Sequence, residues 1–368
     1  MAKIITIASG KGGVGKTSIS LNLSLSLAAQ GHRVCLFDGD LGLANVNILT
    51  GLFPDHGLEE VISGEYTLGD IMIKNFQGID IIPGSSGVEK IADLGPEESK
   101  RLITSFLGLS AYDYFILDTS AGISSQVLSF CRASHEMILV ATPEPTSLTD
   151  AYSLLKVLSR YKGLPRVRVV INHVKTAAAA KKAYARLKET VHKFLSVKIS
   201  PLGIVAEDPK VSIAVVSQVP FYMLFPDTDA SRCIRAIALK LSRDPKNKED
   251  LPVELFWDQC LEFLSLQKQT DLDHRTKGRN GVAGKGSDPD RAMGFISASQ
   301  ADLQKKLAGI EDKISLLLDE VGQIKTLLKE SAFEAEKKGE TSSVSQRKKP
   351  TAPGEIPLDF ESWEKKQV

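Results

Sequence analysis

Cysteine is scarce in this 368-residue chain, with only Cys35, Cys131, Cys233 and Cys260. They lie far apart and no two form a C-x-x-C pair, which argues against a zinc site, an iron–sulfur cluster or a disulfide framework and for reduced, buried thiols. Long apolar runs are missing as well: none approaches the roughly 18 residues that a spanning helix needs. The first apolar strand begins at Lys3 and leaves no room for a signal peptide, so a soluble, cytoplasmic protein is expected. Nor is there an excess of charge. The 46 Lys and Arg balance 45 Asp and Glu to a net +1, so any attraction to nucleic acid or anionic lipid has to come from a local patch. With 42% hydrophobic and 25% charged residues, the chain can bury one large core or two modest ones.

What the chain does have is Gly10-Lys11-Gly12-Gly13-Val14-Gly15-Lys16-Thr17, which satisfies G-x-x-x-x-G-K-[ST] and adds a lysine directly after the first glycine. In such a loop the glycines let successive backbone N–H groups close around phosphate oxygens, Lys16 offsets their charge, and Thr17, followed by Ser18, offers a hydroxyl to magnesium. One lysine suffices for the local phosphates. The second, Lys11, is best placed to reach a nucleotide held by a facing subunit, which would couple ATP binding to dimerisation. The context suits the motif: Lys3–Ala8 reads as a buried parallel strand, and Ser18–Gln30 reads as a helix stopped at Gly31. The segment SISLNLSLSL alternates polar and apolar residues as a strand does, but the loop requires a helix N-terminus aimed at the phosphates, so a helix is expected.

From residue 1 to about 243, short apolar runs alternate with helical stretches, the pattern of an α/β domain with a mostly parallel sheet covered on both faces. Further strands are expected at Arg33–Phe37, Ile79–Pro83, Tyr114–Leu117, Met137–Ala141, Arg166–Ile171 and Ile199–Val205. Residues 251–267 place Val253, Phe256, Trp257, Cys260, Leu261 and Leu264 at helical spacing. Glu254, Asp258 and Glu262 on the opposite face would be repelled by anionic headgroups, so docking on the protein's own domain is favoured over membrane contact through Phe256 and Trp257. A polar, basic, glycine-rich stretch at 271–295 reads as a flexible linker. At 300–331, Leu307, Ile314, Val321 and Leu328 at a, with Leu303, Ile310, Leu317 and Ile324 at d, form a heptad seam suited to a short coiled coil. From 337 to 368 disorder is expected, apart from a short docking peptide at Leu358–Trp363.

Hydrolysis of a bound triphosphate needs acidic groups at neighbouring strand ends, and two segments supply them. In FDGDLGLAN the strand ends near Asp38, sending Asp40 toward the γ-phosphate to orient water, with Asn45 a weaker candidate. In FILDTSAGIS, Asp118 would hold magnesium through water, and Ser120-Ala121-Gly122 can sense the γ-phosphate. Taken singly, each is as readily an ordinary strand-terminal turn.

Together, GKGGVGKTS, DGDLGLANVNILTGL and ILDTSAGIS resemble the deviant P-loop ATPases of the MinD/ParA class, and with TPEPTSLTDAY they look most like its FlhG/FleN (YlxH) group of flagellar number regulators. The resemblance covers residues 1 to about 241. It implies an ATPase with ATP and Mg2+ as cofactors, working as a homodimer that sandwiches two nucleotides. Lys11 is then the lysine acting across the dimer, Lys16 and Thr17 bind phosphate and magnesium, Asp40 is catalytic, and Asp118 is the magnesium-side acid. Adenine would sit between Asn172 and the loop carrying Glu207, Asp208 and Pro209. Implied partners are flagellar assembly proteins: the FlhF GTPase, switch-ring components or a flagellar transcription activator. Peripheral contact with the inner face of the cell membrane also follows, through the helix at 251–267. With the first strand starting at Lys3, the N-terminal helix by which such proteins stimulate FlhF is not expected. The alternative is a ParA-like ATPase binding DNA non-specifically through Lys181, Lys182, Arg186 and Lys188, against which the near-zero net charge weighs.

Overall fold

The computed structural model describes residues 2–267 apart from 41–44, 85–90, 92–93, 162 and 245–254. The linker read at 271–295, the heptads at 300–331 and the tail at 337–368 lie outside the described residues. In chain order the elements are β1 Lys3–Ala8, α1 Lys16–Ala28, β2 Val34–Gly39, α2 Asn45–Thr50, α3 Leu58–Ser63, α4 Leu68–Ile71, β3 Ile73–Phe76, β4 Ile79–Ile82, α5 Pro96–Ser105 and a 3-10 turn at Phe106–Ala111. They continue with β5 Tyr114–Thr119, α6 Ser125–Ala133, β6 Glu136–Ala141, α7 Pro145–Leu158, β7 Arg166–Val174, α8 Ala177–Phe194, β8 Ile199–Ala206, α9 Pro209–Val216, α10 Phe221–Leu224 and α11 Asp229–Arg243. A final helix, α12, occupies 255–267.

Eight strands form one sheet in the order β3-β4-β2-β5-β1-β6-β7-β8. Every pairing is parallel except that of β3 with β4. β1, β2, β5 and β6 are buried at every position, as a sheet covered on both faces requires. All seven expected strands are present, but β2, β5 and β7 run two or three residues further than their apolar runs, which takes Asp38 and Asp118 inside the strands. β3 was not expected. Its Lys74 and Asn75 are exposed while Ile73 and Phe76 are only half-buried, so a short edge strand carries almost no hydrophobic signal.

The alternating segment SISLNLSLSL is a helix. Nearly all of α1 is buried, and two of its serines satisfy their hydroxyls internally: Ser20 donates to the Lys16 carbonyl at 2.9 Å and Ser24 to that of Ser20 at 2.7 Å, while Ser26 Oγ has no partner among the described residues. With both faces of the helix packed, polarity no longer marks a solvent side and the period misleads.

Inward-facing residues of the sheet and helices gather in two clusters. One joins α1, α7, α8 and α11; the other joins α3, α5, α6 and α12. In the second, Phe256, Trp257 and Cys260 are 0% exposed. The Trp257 ring lies 4.6 Å from that of Phe106 and 6.1 Å from that of Phe37. Phe263 widens the expected face, and the Arg132 guanidinium lies over its ring and that of Tyr161, at 5.4 and 5.9 Å. Gln267 closes the helix by donating to the Tyr161 hydroxyl at 2.6 Å. In this conformation α12 is a layer of the domain and Phe256 and Trp257 face inward, as docking on the protein's own domain requires. All four cysteines are free and buried.

Candidate active site

The C-terminal ends of β1, β2, β5, β6 and β7 converge on the loop between β1 and α1. Two of its glycines are dictated by close approach. A β-carbon on Gly10 would fall 2.1 Å from the Asp150 carbonyl of α7, and one on Gly15, at φ +88°, would fall 2.4 Å from Asn172 Nδ2; neither position admits a side chain. Gly15 is the left-handed N-cap of α1, so Lys16, Thr17 and Ser18 form the first helical turn rather than the end of the loop, and the unpaired N–H groups of that turn face the cradle. Gly12 and Gly13 complete the loop. Ser9 Oγ donates to the Lys11 carbonyl at 2.7 Å, and the Gly122 N–H donates to the Ser9 carbonyl at 2.9 Å, which ties the Ser120–Gly122 turn to the loop's start.

Asp38 and Asp118 stand opposite each other in the β2–β5 register. Asp118 is fully buried. Its Oδ1 accepts from Ser20 Oγ at 2.9 Å, while Oδ2 has no hydrogen-bond partner among the described residues. Burial pushes its carboxyl up to about 6, against the pull of the Thr17 hydroxyl, the Lys16 ammonium and the Ser20 hydroxyl. Asp38 goes further, to about 8, through burial and repulsion from Asp118, although the Val46 and Asp40 N–H groups donate to it at 3.1 and 3.2 Å. Lys16 is 8% exposed; desolvation lowers its pKa while Asp118 and Asp40 oppose the shift.

An orphaned carboxylate oxygen and three acidic groups around one buried ammonium leave a deficit of positive charge, which fits a divalent cation. No cluster of three His, Cys, Asp or Glu side chains able to cage an ion exists among the described residues. The donor set therefore suits Mg2+, which leans on the Thr17 hydroxyl, on phosphate oxygens and on water, with Asp118 and Asp40 around that shell. Asp38 was passed over in the sequence. The available signal was its place two residues before Asp40 in the same acidic turn.

Asp38 and Asp118 both titrate above the unfolded carboxyl value of about 4. The folded state therefore holds protons that the unfolded state releases, and stability falls as pH rises. Between pH 6 and 8.5, without nucleotide or Mg2+, Tm is expected to drop by a few degrees, and Asp38→Asn should raise Tm at pH 8 and flatten the profile. Scanning calorimetry across that range checks this; a parent Tm that climbs with pH would refute it.

Lys11 lies across the loop from the carboxylates. Its ammonium pairs with Glu144 Oε2 at 2.8 Å and donates to Thr146 Oγ1 at 3.1 Å, and this contact holds the exposed Glu144 carboxyl below its usual range. Lys11, Gly13, Thr142, Glu144, His173 and Glu207 line a cavity of about 610 Å³. Of the residues expected at adenine, Glu207 reaches this wall. Asn172 Nδ2 donates to the Val14 carbonyl at 2.8 Å, holding the loop, and Asp208 caps α9 by accepting from the Lys210 N–H at 2.9 Å. His173 was not foreseen: it has φ +55° where β7 slips register against β8, a backbone feature with no signature in the residue types.

Residues 5–221 match the family described as the CobQ/CobB/MinD/ParA nucleotide binding domain. The chain is similar to the antiactivator FleN of Pseudomonas aeruginosa, at 41% identity over 244 residues spanning 66% of this chain and 87% of that protein. It is also similar to the flagellum site-determining protein YlxH of Helicobacter pylori, at 32% identity over 268 residues, 71% of this chain and 90% of that one. Among solved structures, the septum site-determining protein MinD of Pyrococcus horikoshii, complexed with Mg-ADP, matches at 28% identity and a TM-score of 0.52, over 66% of this chain and 97% of that chain.

Proposed function

The chain belongs to the CobQ/CobB/MinD/ParA nucleotide-binding family, and on that footing we propose that it is an ATP-dependent dimer switch regulating the number or placement of bacterial flagella. The observation that carries the chemistry is the set of buried Lys16 and Asp118 with half-buried Asp40 at the mouth of the loop, Asp118 Oδ2 having no hydrogen-bond partner among the described residues. Similarity to FleN and YlxH carries the flagellar part.

The residues divide the work as follows. The backbone of Gly12–Lys16 and the N-terminus of α1 bind phosphate oxygens, and Lys16 neutralises them. Mg2+, when bound, supplies charge compensation for the phosphates; Thr17 and the Asp118 side would hold it. Asp40, on the turn hydrogen-bonded to Asp38, orients the attacking water, and the Ser120–Gly122 turn, tied to Ser9, reports the state of the site. Turnover is slow until a flagellar partner stimulates it. The partner is an FlhF-type GTPase, a switch-ring component or a flagellar transcription activator, met in the cytoplasm or at the inner face of the membrane.

In this reading Lys11 leaves Glu144 and Thr146 and reaches the nucleotide of a second copy. Sedimentation of the 1–267 chain, which holds the whole described core, should show ATP-dependent dimers for the parent and monomers for Lys11→Ala. A variant that dimerises with parental affinity rejects the role in trans.

A further inference from the structure

Two features of the sequence take no part in the nucleotide site: the basic run on α8 and the acidic, aromatic segment near the C-terminus. We propose that they are partners, with residues 355–364 (EIPLDFESWE) docking into the groove between α7 and α8 of the same chain.

The groove is apolar at its floor and basic at its rim. Leu148 and Tyr152 of α7 face Leu187 and Phe194 of α8, two cations, Arg186 and Lys193, and one carboxylate, Glu189, stand at the edge, and the volume is about 480 Å³, within the range of pockets that bury a ligand of several rings. Phe194 is 62% exposed, and the Lys193 ammonium lies 5.2 Å from its ring centre, so an incoming aromatic meets both a ring and a cation. Neither Arg186 nor Lys193 is ion-paired among the described residues.

Charge selects the occupant. α8 carries Lys181, Lys182, Arg186, Lys188 and Lys193 against Glu189, five cations and one carboxylate for a net +4. Residues 355–364 carry Glu355, Asp359, Glu361 and Glu364 with no cation, a net −4, and their apolar residues Ile356, Leu358, Phe360 and Trp363 match the floor. Opposite patches of this size steer encounter and fix register, and apolar contacts supply the affinity. The chain can reach. From the end of α12 at 267 to Glu355 are 88 residues; leaving out the 32 of the heptad stretch at 300–331, 56 residues read as flexible have a root-mean-square span of about 40 Å. Tethering at that length keeps the segment at an effective concentration near the millimolar range, so weak affinity suffices. The groove starts at Pro145, between the Glu144 and Thr146 that hold Lys11. A docked segment would therefore cover the α7–α8 face beside that contact and exclude other partners from it.

The proposal does not depend on the flagellar reading, and the protein contains its own probe. It has two tryptophans; Trp257 is fully buried, so subtracting the signal of Trp363→Phe from that of the full chain isolates Trp363. Acrylamide quenching of Trp363 in the full-length protein, at low protein concentration and without nucleotide, is expected to be several-fold weaker than in the urea-unfolded chain. Added salt, Arg186→Glu/Lys193→Glu or Phe194→Ala should restore free quenching. The substituted side chains are at the rim or exposed, and unchanged Trp257 emission and circular dichroism verify that each variant is folded. Three results would overturn the proposal: free quenching of Trp363 in the parent, protection that survives both groove variants and so belongs to another surface, or protection that vanishes on dilution because a second copy is the occupant.

Discussion

Lys16→Ala is expected to lower the rate of ATP hydrolysis by about 100- to 1,000-fold, the usual effect of deleting one preorganised charge from a phosphoryl-transfer site. Lys16 opens α1 with its ammonium almost out of water. Burial there weakens its hold on the proton, and the nearby charges of Asp118 and Asp40 keep it protonated. Such a charge is already oriented and poorly solvated, so it acts on phosphate at close to full strength. Its removal also strips Asp118 and Asp40 of their neighbouring cation and raises the Asp118 carboxyl pKa further, which weakens the magnesium side of the site. Steady-state phosphate release with Mg·ATP checks the rate, and titration with a fluorescent ATP analogue separates lost binding from lost turnover. Asp40→Ala is the control: it should retain nucleotide and lose turnover. A Lys16→Ala protein that hydrolyses ATP within a few-fold of the parent would contradict the assignment.

The second large effect is on stability. Trp257→Ala is expected to destabilise the protein by about 3–5 kcal/mol, the range for deleting a large ring from a packed core. That is a substantial fraction of the 5–15 kcal/mol that holds a typical domain together. Trp257 sits among Phe37, Phe106, Phe130 and Phe256, with ring centres 4.6 to 6.1 Å away, and no rearrangement of side chains this large can refill its volume. Trp257→Phe should be far milder. The indole Nε1 is buried without a partner among the described residues, so phenylalanine keeps most of the ring contacts and removes an unsatisfied donor. Urea unfolding followed by circular dichroism measures both variants. A Trp257→Ala loss under about 1 kcal/mol would mean that α12 is an appendage rather than a layer of the core.

The contrast between these two residues shows how far a linear reading carries. Lys16 was legible because the loop chemistry is local: G-x-x-x-x-G-K-T spells out glycines, cation and hydroxyl within eight residues, and strand and helix flank it at once. The face of α12 was legible for a related reason, since Phe256, Trp257, Cys260 and Leu264 repeat at helical spacing; what they would be buried against was not. Asp118 could be named from its apolar strand and acidic end. The unpaired Oδ2 and the raised pKa that suit it to a cation exist only because β2 and β5 lie side by side and set Asp38 across from it.

Sequence by itself determined the phosphate loop, the two acidic strand ends, the parallel α/β plan and the amphipathic faces, because each rests on residue types within a few positions or on a short period. Tertiary structure alone decided the rest. Glu144 holds Lys11 from 133 positions away, Asn172 grips the Val14 carbonyl from 158 positions away, the β3 edge closes the sheet with a polar strand, and the register slip in β7 turns His173 into the cavity. Such contacts depend on which strands neighbour one another and on what burial does to charge, and neither quantity is carried by any single stretch of chain.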